Sequence, residues 1–212
     1  RVMADKVEFF YDLSSPWTFI AFTNLVGVEE RTGVTAHLRP VLVGGIFNAV
    51  NQSVYEARAQ ADNPKLIHNF RVMMDWGKQA GLDLVFPPPG HPAKSILAMR
   101  MATALEMGAL EDNQEKLRAF SKAAFSRFWL KGENLDEPAT LIAAASDAGL
   151  DGEALAAQTQ QQEIKDRLRA NTEEAIERGA YGSPSIFVDE KWMYFGNDQL
   201  PLVEARIKGE LT

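Results

Sequence analysis

The pattern of apolar and polar positions predicts a β-α-β start to the chain. Val7–Tyr11 has the alternation of a strand, and Trp17–Thr32 carries apolar residues at helical spacing and ends at Gly33. Val34–Val43 is the next predicted strand, in which Pro40 favours an edge position or a bulge. A crossover of this length predicts a right-handed parallel pair of strands.

Helical periodicity dominates the middle of the chain, and strands return at its end. The helices predicted for the middle are Pro64–Ala80, Lys94–Met107, Asn113–Leu130, Pro138–Ala148 and Gly152–Arg178, the last continuous or broken. The stretch FPPPGHP, from Phe86 to Pro92, is predicted to be a stiff extended loop because adjacent prolines exclude helix. Two strands, Ser185–Val188 and Trp192–Phe195, precede a final helix over Gln199–Lys208.

This order of elements predicts an α/β, thioredoxin-like fold with a large all-helical insertion. Residues 1–47 and 180–212 would form the thioredoxin-like domain, as its β-α-β and β-β-α halves. Residues 48–179 would form the helical insertion domain, with its last helix expected to pack back on the thioredoxin-like core. The sequence shows no internal repeat or low-complexity linker that would argue for two separable domains.

Composition and charge narrow the classes of function. The 212 residues are 46% hydrophobic and 24% charged, as in a globular protein, and their formal net charge is -7 with both signs interspersed. No basic surface for nucleic acid is indicated. No apolar run approaches the ~20 residues that span a bilayer, and the N-terminal residues lack the pattern of a secretory signal. We therefore expect a cytoplasmic protein with no membrane partner.

The cysteine and histidine content limits the chemistry further. The chain has no cysteine, which excludes disulfides, cysteine-ligated zinc and redox chemistry by the protein's own thiols. The three histidines, His37, His68 and His91, lack the spacing of metal ligands. We therefore predict no metal site.

The start of the first helix is the first candidate for chemistry. Ser15 and Pro16 stand immediately before Trp17, and serine followed by proline commonly begins a helix. Taken alone, the segment is most simply explained as a helix cap.

Two segments near the C-terminus are also candidates. Ser183 and Pro184 directly precede a strand of buried character, as a cis-proline loop would, although most X-Pro bonds are trans. Asn197 and Asp198 precede the last helix, where Asp198 can cap and free amides can receive an anion. Each segment also has a sufficient structural explanation.

Together and in this order, these segments resemble the 2-hydroxychromene-2-carboxylate isomerases and the related kappa-class glutathione transferases. The resemblance rests on a strand followed by Ser-Pro-aromatic-Ser/Thr, on RPVLVGGIF, on Gly-x-Pro before a strand, and on FGND before the last helix. It extends from Val7 to Ile207. These families have the DsbA-like variant of the thioredoxin fold, and their oxidoreductase relatives carry Cys-Pro-x-Cys where this chain has SPWT.

The resemblance implies a homodimer that borrows the thiol of glutathione. Ser15 would be the catalytic residue, whose hydroxyl stabilises the thiolate together with the helix N-terminus. The family reaction is reversible thiolate addition to an unsaturated carbon, rotation about the resulting single bond and elimination of glutathione. The substrate would be a small aromatic or unsaturated acid.

The resemblance also implies the other contacts with glutathione. Its predicted binding residues are Pro16, Trp17, Asn51, Ser183, Pro184, Asn197 and Asp198. The backbone of Ser183 would pair with the cysteinyl backbone as an added strand, and Asn197 and Asp198 would hold the γ-glutamyl end. Two alternatives stay open: a kappa-like glutathione transferase or peroxidase, and a non-catalytic thioredoxin-fold binding module.

Overall fold

The computed structural model describes residues 3–108 and 113–211 of the chain. Within these residues four strands form one mixed sheet. They are β1 (Val7–Tyr11), β2 (His37–Pro40), β3 (Ser185–Val188) and β4 (Trp192–Phe195). The strand order is β2-β1-β3-β4, with β1 parallel to β2 and antiparallel to β3, and with β3 antiparallel to β4. Residues 1–2, 109–112 and 212, which fall within the predicted domain limits, lie outside the described residues.

Ten α-helices lie in the same two ranges. They are α1 (Pro16–Thr32), α2 (Val43–Val50), α3 (Ser53–Arg58), α4 (Pro64–Gln79), α5 (Ile96–Glu106), α6 (Asn113–Trp129), α7 (Pro138–Asp147), α8 (Gly152–Gln158), α9 (Gln162–Glu177) and α10 (Leu200–Ile207), and a one-turn 3-10 helix (Asn197–Gln199) precedes the last. The helices predicted for the middle of the chain are confirmed, and the segment from Gly152 to Arg178 is broken into α8 and α9. The short helices α2 and α3 were not predicted.

Helices cover both faces of β1. Phe9 belongs to the larger hydrophobic core, which includes buried residues of α1, α5 and α6. Phe10 lies in a smaller cluster with Ile46 of α2 and Ala175 of α9. Every residue of β1 is buried. The segment that follows β1 therefore begins inside the protein, between two layers of helices.

The second strand is shorter than predicted. Pairing with β1 spans only His37–Pro40, and the chain enters α2 at Val43, so the predicted strand over Val34–Val43 is wrong in its extent. The reason lies in tertiary contacts, because the Leu42 amide donates to Thr172 Oγ1 of α9 at 3.0 Å rather than to the sheet. The edge position that Pro40 indicates is confirmed, since β2 lies at one edge.

The β-α-β and β-β-α parts contribute to a single sheet, as the predicted fold requires. Helix α9 contacts α2 and β2. The division into residues 1–47 with 180–212 and an insertion over residues 48–179 stays a proposal. None of the helices in residues 3–108 and 113–211 combines the length and the apolar character needed to cross a membrane.

Candidate functional site

Ser15 is the N-cap of α1. Its backbone is extended (φ -104°, ψ 120°), its Oγ accepts the Thr18 amide hydrogen at 3.2 Å, and Pro16 follows in the first turn. This geometry confirms the capping role that the local sequence predicts. It also places the Ser15 hydroxyl at the positive end of a 17-residue helix.

The loop before β3 meets this end of α1. The Ser183–Pro184 peptide bond is cis. The Ser183 Oγ lies 2.8 Å from Thr18 Oγ1 and accepts the Asp12 amide hydrogen at 2.9 Å. Side-chain hydroxyls therefore join the first turn of α1 to a loop that lies 165 positions further along the sequence.

The hydroxyl of Ser15 is only weakly engaged. It donates to the Ser183 carbonyl at 3.4 Å, about 0.6 Å longer than an ordinary hydroxyl hydrogen bond. Ser15 is half-buried, whereas Thr18 is completely buried. Ser14 is also half-buried, but its hydroxyl donates to Asp12 Oδ1 at 2.8 Å. The Ser15 hydroxyl is therefore the half-buried one whose proton is weakly held, and a charged acceptor beside it can compete for that proton.

Asp12 is a site residue that the sequence analysis missed. Its side chain is completely buried. Oδ1 accepts from the Ser14 amide at 2.9 Å and from the Ser14 hydroxyl at 2.8 Å. Oδ2 accepts from the Val43 amide at 2.9 Å and from the Ser95 hydroxyl at 3.0 Å. Burial raises the pKa of the Asp12 carboxyl, and the four hydrogen bonds oppose that rise because they favour the ionised form. The donors on Val43 and Ser95 lie 31 and 83 residues away in the sequence, so no local pattern indicates them.

The helical block holds the segment that leads to Ser15. The Leu13 amide donates to Met99 Sδ at 3.3 Å, and the Leu13 carbonyl accepts from Trp129 Nε1 at 3.0 Å. Met99 and Trp129 are both completely buried, and the half-buried Trp17 packs against the same core. Helices α5 and α6 therefore determine where the start of α1 lies.

Asn51 lies at the C-terminal end of α2, close to the Ser183 loop. Its Nδ2 donates to the Tyr181 carbonyl at 3.0 Å, and its Oδ1 accepts the Ser53 hydroxyl at 2.9 Å. The structure thus brings Asn51 to the backbone two residues before Ser183. A direct contact of Asn51 with a ligand stays a prediction.

Asn197 and Asp198 form the turn before α10, where Gly196 has a φ of 91°. The Asn197 side chain is 3% exposed; its Oδ1 accepts from Asn24 Nδ2 at 2.8 Å, and its buried Nδ2 has no hydrogen-bond partner among the described residues. Asp198 is exposed. Contacts of Asn197 and Asp198 with a ligand stay predictions.

Aromatic side chains lie around the Ser183 loop. The rings of Tyr181 and Phe195 have centroids 4.6 Å apart. A Cβ added at Gly182 would come within 2.8 Å of the Phe195 ring and 3.8 Å of Phe47. Only glycine allows the loop to approach these rings so closely, and the rings give the site an apolar border.

Metal chemistry finds no support in this arrangement. Within residues 3–108 and 113–211, no group of three or more His, Asp or Glu side chains could hold a metal ion. The fold and the site together define a thioredoxin-like protein whose first helix begins with a reachable hydroxyl, in a chain that contains no cysteine.

A family model of the DSBA-like thioredoxin domain matches residues 6–208, and the chain belongs to that family. The 2-hydroxychromene-2-carboxylate isomerase of Sphingobium xenophagum is 26% identical over 212 residues, which cover 96% of this chain and 98% of that protein. Glutathione S-transferase kappa 1 of Homo sapiens is 28% identical over 216 residues, which cover 96% of this chain and 91% of that protein.

Solved structures show the same fold. A 2-hydroxychromene-2-carboxylate isomerase superposes with a TM-score of 0.74 at 22% identity, covering 96% of this chain and 95% of that chain. The cytosolic disulfide reductase DsbM of Pseudomonas aeruginosa, solved with GSH, has a TM-score of 0.60 at 16% identity, covering 96% of this chain and 99% of that chain. The predicted thioredoxin-like fold and the resemblance to the isomerase and kappa-class families are confirmed.

Proposed function

We propose that the protein is a glutathione-dependent isomerase of the 2-hydroxychromene-2-carboxylate type. The observation that carries this proposal is the Ser15 hydroxyl, which caps α1, is half-buried and donates to the Ser183 carbonyl at only 3.4 Å. A thiolate beside Ser15 would receive a hydroxyl hydrogen bond at the positive end of the helix. The similarity to kappa-class glutathione transferases and to DsbM, which was solved with GSH, supports glutathione as the source of the thiol.

The free energy needed to ionise the glutathione thiol can be compared with what Ser15 and α1 contribute. A free thiol with a pKa of about 8.5 is only a few per cent ionised at neutral pH, and the thiolate is the nucleophile. Lowering that pKa by two units requires about 2.7 kcal/mol. A hydrogen bond to a charged group contributes about 1.5–3 kcal/mol, and a helix N-terminus contributes about 0.3–1 kcal/mol. Ser15 and α1 together would therefore contribute about 1.8–4 kcal/mol, a range that includes the requirement.

The residues present also fit the peptide part of glutathione. The backbone of Ser183 beside Pro184 could pair with the cysteinyl backbone as an added strand. The exposed Asp198 carboxylate suits the γ-glutamyl ammonium, and the amides of the same turn suit its carboxylate. Pro16 and Trp17, both half-buried at the start of α1, would border the thiol.

Glutathione, when bound, would supply a thiolate that adds reversibly to an unsaturated carbon of the substrate. Ser15 would hold this thiolate ionised and oriented, and the aromatic rings near Gly182 would exclude water from one side. We propose a small aromatic or unsaturated acid as the substrate, in keeping with the isomerase relatives. A cytoplasmic homodimer remains part of this proposal.

The test measures glutathione binding and turnover with the full chain. Titration calorimetry is expected to show binding, and 2-hydroxychromene-2-carboxylate is expected to equilibrate with its isomer while the glutathione concentration stays constant over many turnovers. Consumption of glutathione would instead indicate a kappa-like enzyme, with one glutathione lost per turnover by a transferase and two, oxidised to their disulfide, per peroxide reduced by a peroxidase. The 28% identity to the human kappa enzyme supports this second candidate. Absence of glutathione binding would contradict both and favour a non-catalytic thioredoxin-fold binding module.

A further inference from the structure

The Asp12 carboxylate connects three separate segments around Ser15. Oδ1 accepts the amide and hydroxyl hydrogens of Ser14, one residue before Ser15. Oδ2 accepts from the amide of Val43, the first residue of α2, and from the hydroxyl of Ser95, which precedes α5. The side chain is completely buried, and all four donors are neutral groups. Asp12 is therefore a junction between the starts of α1, α2 and α5.

An ionised carboxylate can accept from all four groups at once. It offers two acceptor oxygens with about four lone-pair sites, whereas a side-chain amide offers one acceptor oxygen and a donor nitrogen. An asparagine at this position would turn its NH2 group towards either the Ser14 or the Val43 amide. One buried backbone N–H would then face another donor and lose its partner.

The backbone of Asp12 reaches the other half of the site. Its amide donates to Ser183 Oγ at 2.9 Å, and its carbonyl accepts the Ser15 amide hydrogen at 3.3 Å. At the far end of α2, Asn51 holds the Tyr181 carbonyl. The Ser183 loop is thus connected to Asp12 directly, and a second time through α2.

We propose that Asp12 is a positioning residue of the glutathione site, whose carboxylate holds the Ser15 hydroxyl, the start of α2 and the Ser183 loop in one arrangement. This inference rests on the proposed function. Asp12 is completely buried and is not expected to touch either glutathione or substrate, so it acts through Ser15 and Ser183.

The test compares Asp12→Asn with wild type and with Ser121→Ala as a matched control. Ser121 is also completely buried, and its hydroxyl lies 2.6 Å from Tyr11 OH. The first readout is the apparent pKa of the bound glutathione thiol, measured by thiolate absorbance. The second is amide hydrogen exchange at Ser14 and Val43 in the ligand-free proteins, measured by NMR.

In Asp12→Asn we expect the pKa of the bound thiol to rise by about one pH unit, a roughly tenfold loss of thiolate well below that pKa. We also expect exchange to accelerate about tenfold or more at Ser14 or Val43. The control should change neither. The direction of the change in thiol pKa distinguishes a positioning effect from a charge effect. Removing a nearby negative charge without moving Ser15 would lower the pKa of the thiol instead.

Ser95→Gly provides a milder variant if Asp12→Asn fails to fold. It removes one donor, and glycine suits the φ of 59° at this position. It should raise the pKa of the thiol less than Asp12→Asn does. If wild type binds glutathione but the pKa of the bound thiol is unchanged or lowered in these variants, the role of Asp12 is refuted and the proposed function is not. Absence of binding by wild type would refute the proposed function itself.

Discussion

Replacing Ser15 by alanine removes the half-buried hydroxyl at the start of α1 whose proton is only weakly held. The Ser15 Oγ caps Thr18 N at 3.2 Å, and its proton is shared only with the Ser183 carbonyl at 3.4 Å. Alanine therefore removes both a helix cap and the donor proposed for the thiolate. The cap loss should lower the free energy of unfolding by about 1 kcal/mol.

The effect on the bound thiol follows from the size of the lost hydrogen bond. A hydrogen bond to a charged group contributes about 1.5–3 kcal/mol, so its loss should raise the pKa of bound glutathione by about 1–2 pH units. The backbone amides of α1 remain and keep a contribution of about 0.3–1 kcal/mol. The pKa of the thiol in Ser15→Ala should therefore stay at or slightly below that of free glutathione.

Thiolate absorbance, titrated with saturating glutathione, measures this pKa. Ser15→Thr retains a hydroxyl and should stay close to wild type. Asp151→Ala controls for cap loss, because Asp151 caps α8 by accepting the Ala154 amide hydrogen at 3.0 Å. The Asp151→Ala variant should lose a similar free energy of unfolding, with no change in the pKa of the bound thiol. Equal thiol pKa values in Ser15→Ala and wild type would refute the reasoning.

Three further substitutions test how the site is supported. Gly182→Ala would place a Cβ within 2.8 Å of the Phe195 ring, so we expect about 1–3 kcal/mol of destabilisation and weaker glutathione binding by calorimetry. Trp129→Phe leaves a buried loop carbonyl without its indole donor and should lower the unfolding free energy by about 1–3 kcal/mol in denaturant titrations. The hydrogen bond from Arg31 is the main cause that lowers the pKa of Glu204 from 4.5 to about 2. A lowered carboxyl pKa stabilises the fold above the unfolded value, so Glu204→Gln should cost about 0.2–1 kcal/mol at neutral pH, and this difference should disappear as the pH falls from about 4.5 to about 2.

The ends of several helices could be predicted because caps depend on a few neighbouring residues. Proline begins α1, α4 and α7 at Pro16, Pro64 and Pro138, and Gly33 ends α1 with a φ of 74°. These residue types favour helix ends through their own backbone geometry. No distant contact is needed to place them.

Helix α2 could not be predicted because its start depends on distant contacts. The run VLVGGIF is continuously apolar and suits a strand as well as a helix, and its two glycines disfavour helix. The amides of Leu42 and Val43 find their partners on Thr172 and Asp12, which are 130 and 31 residues away. A local pattern carries no information about partners at that distance.

The sequence by itself determined that Ser15 caps a helix and that no thiol of the protein is available beside it. The tertiary structure alone decided which hydroxyl is available to a ligand. It buries Thr18 against Ser183, holds the Ser14 hydroxyl on Asp12, and leaves Ser15 half-buried with a weakly held proton. It also decided the contacts of Asp12, whose donors come from the starts of three helices. The first outcome depends on β3 pairing beside β1, and the second on donors up to 83 residues from Asp12. Side-chain periodicity encodes neither contact.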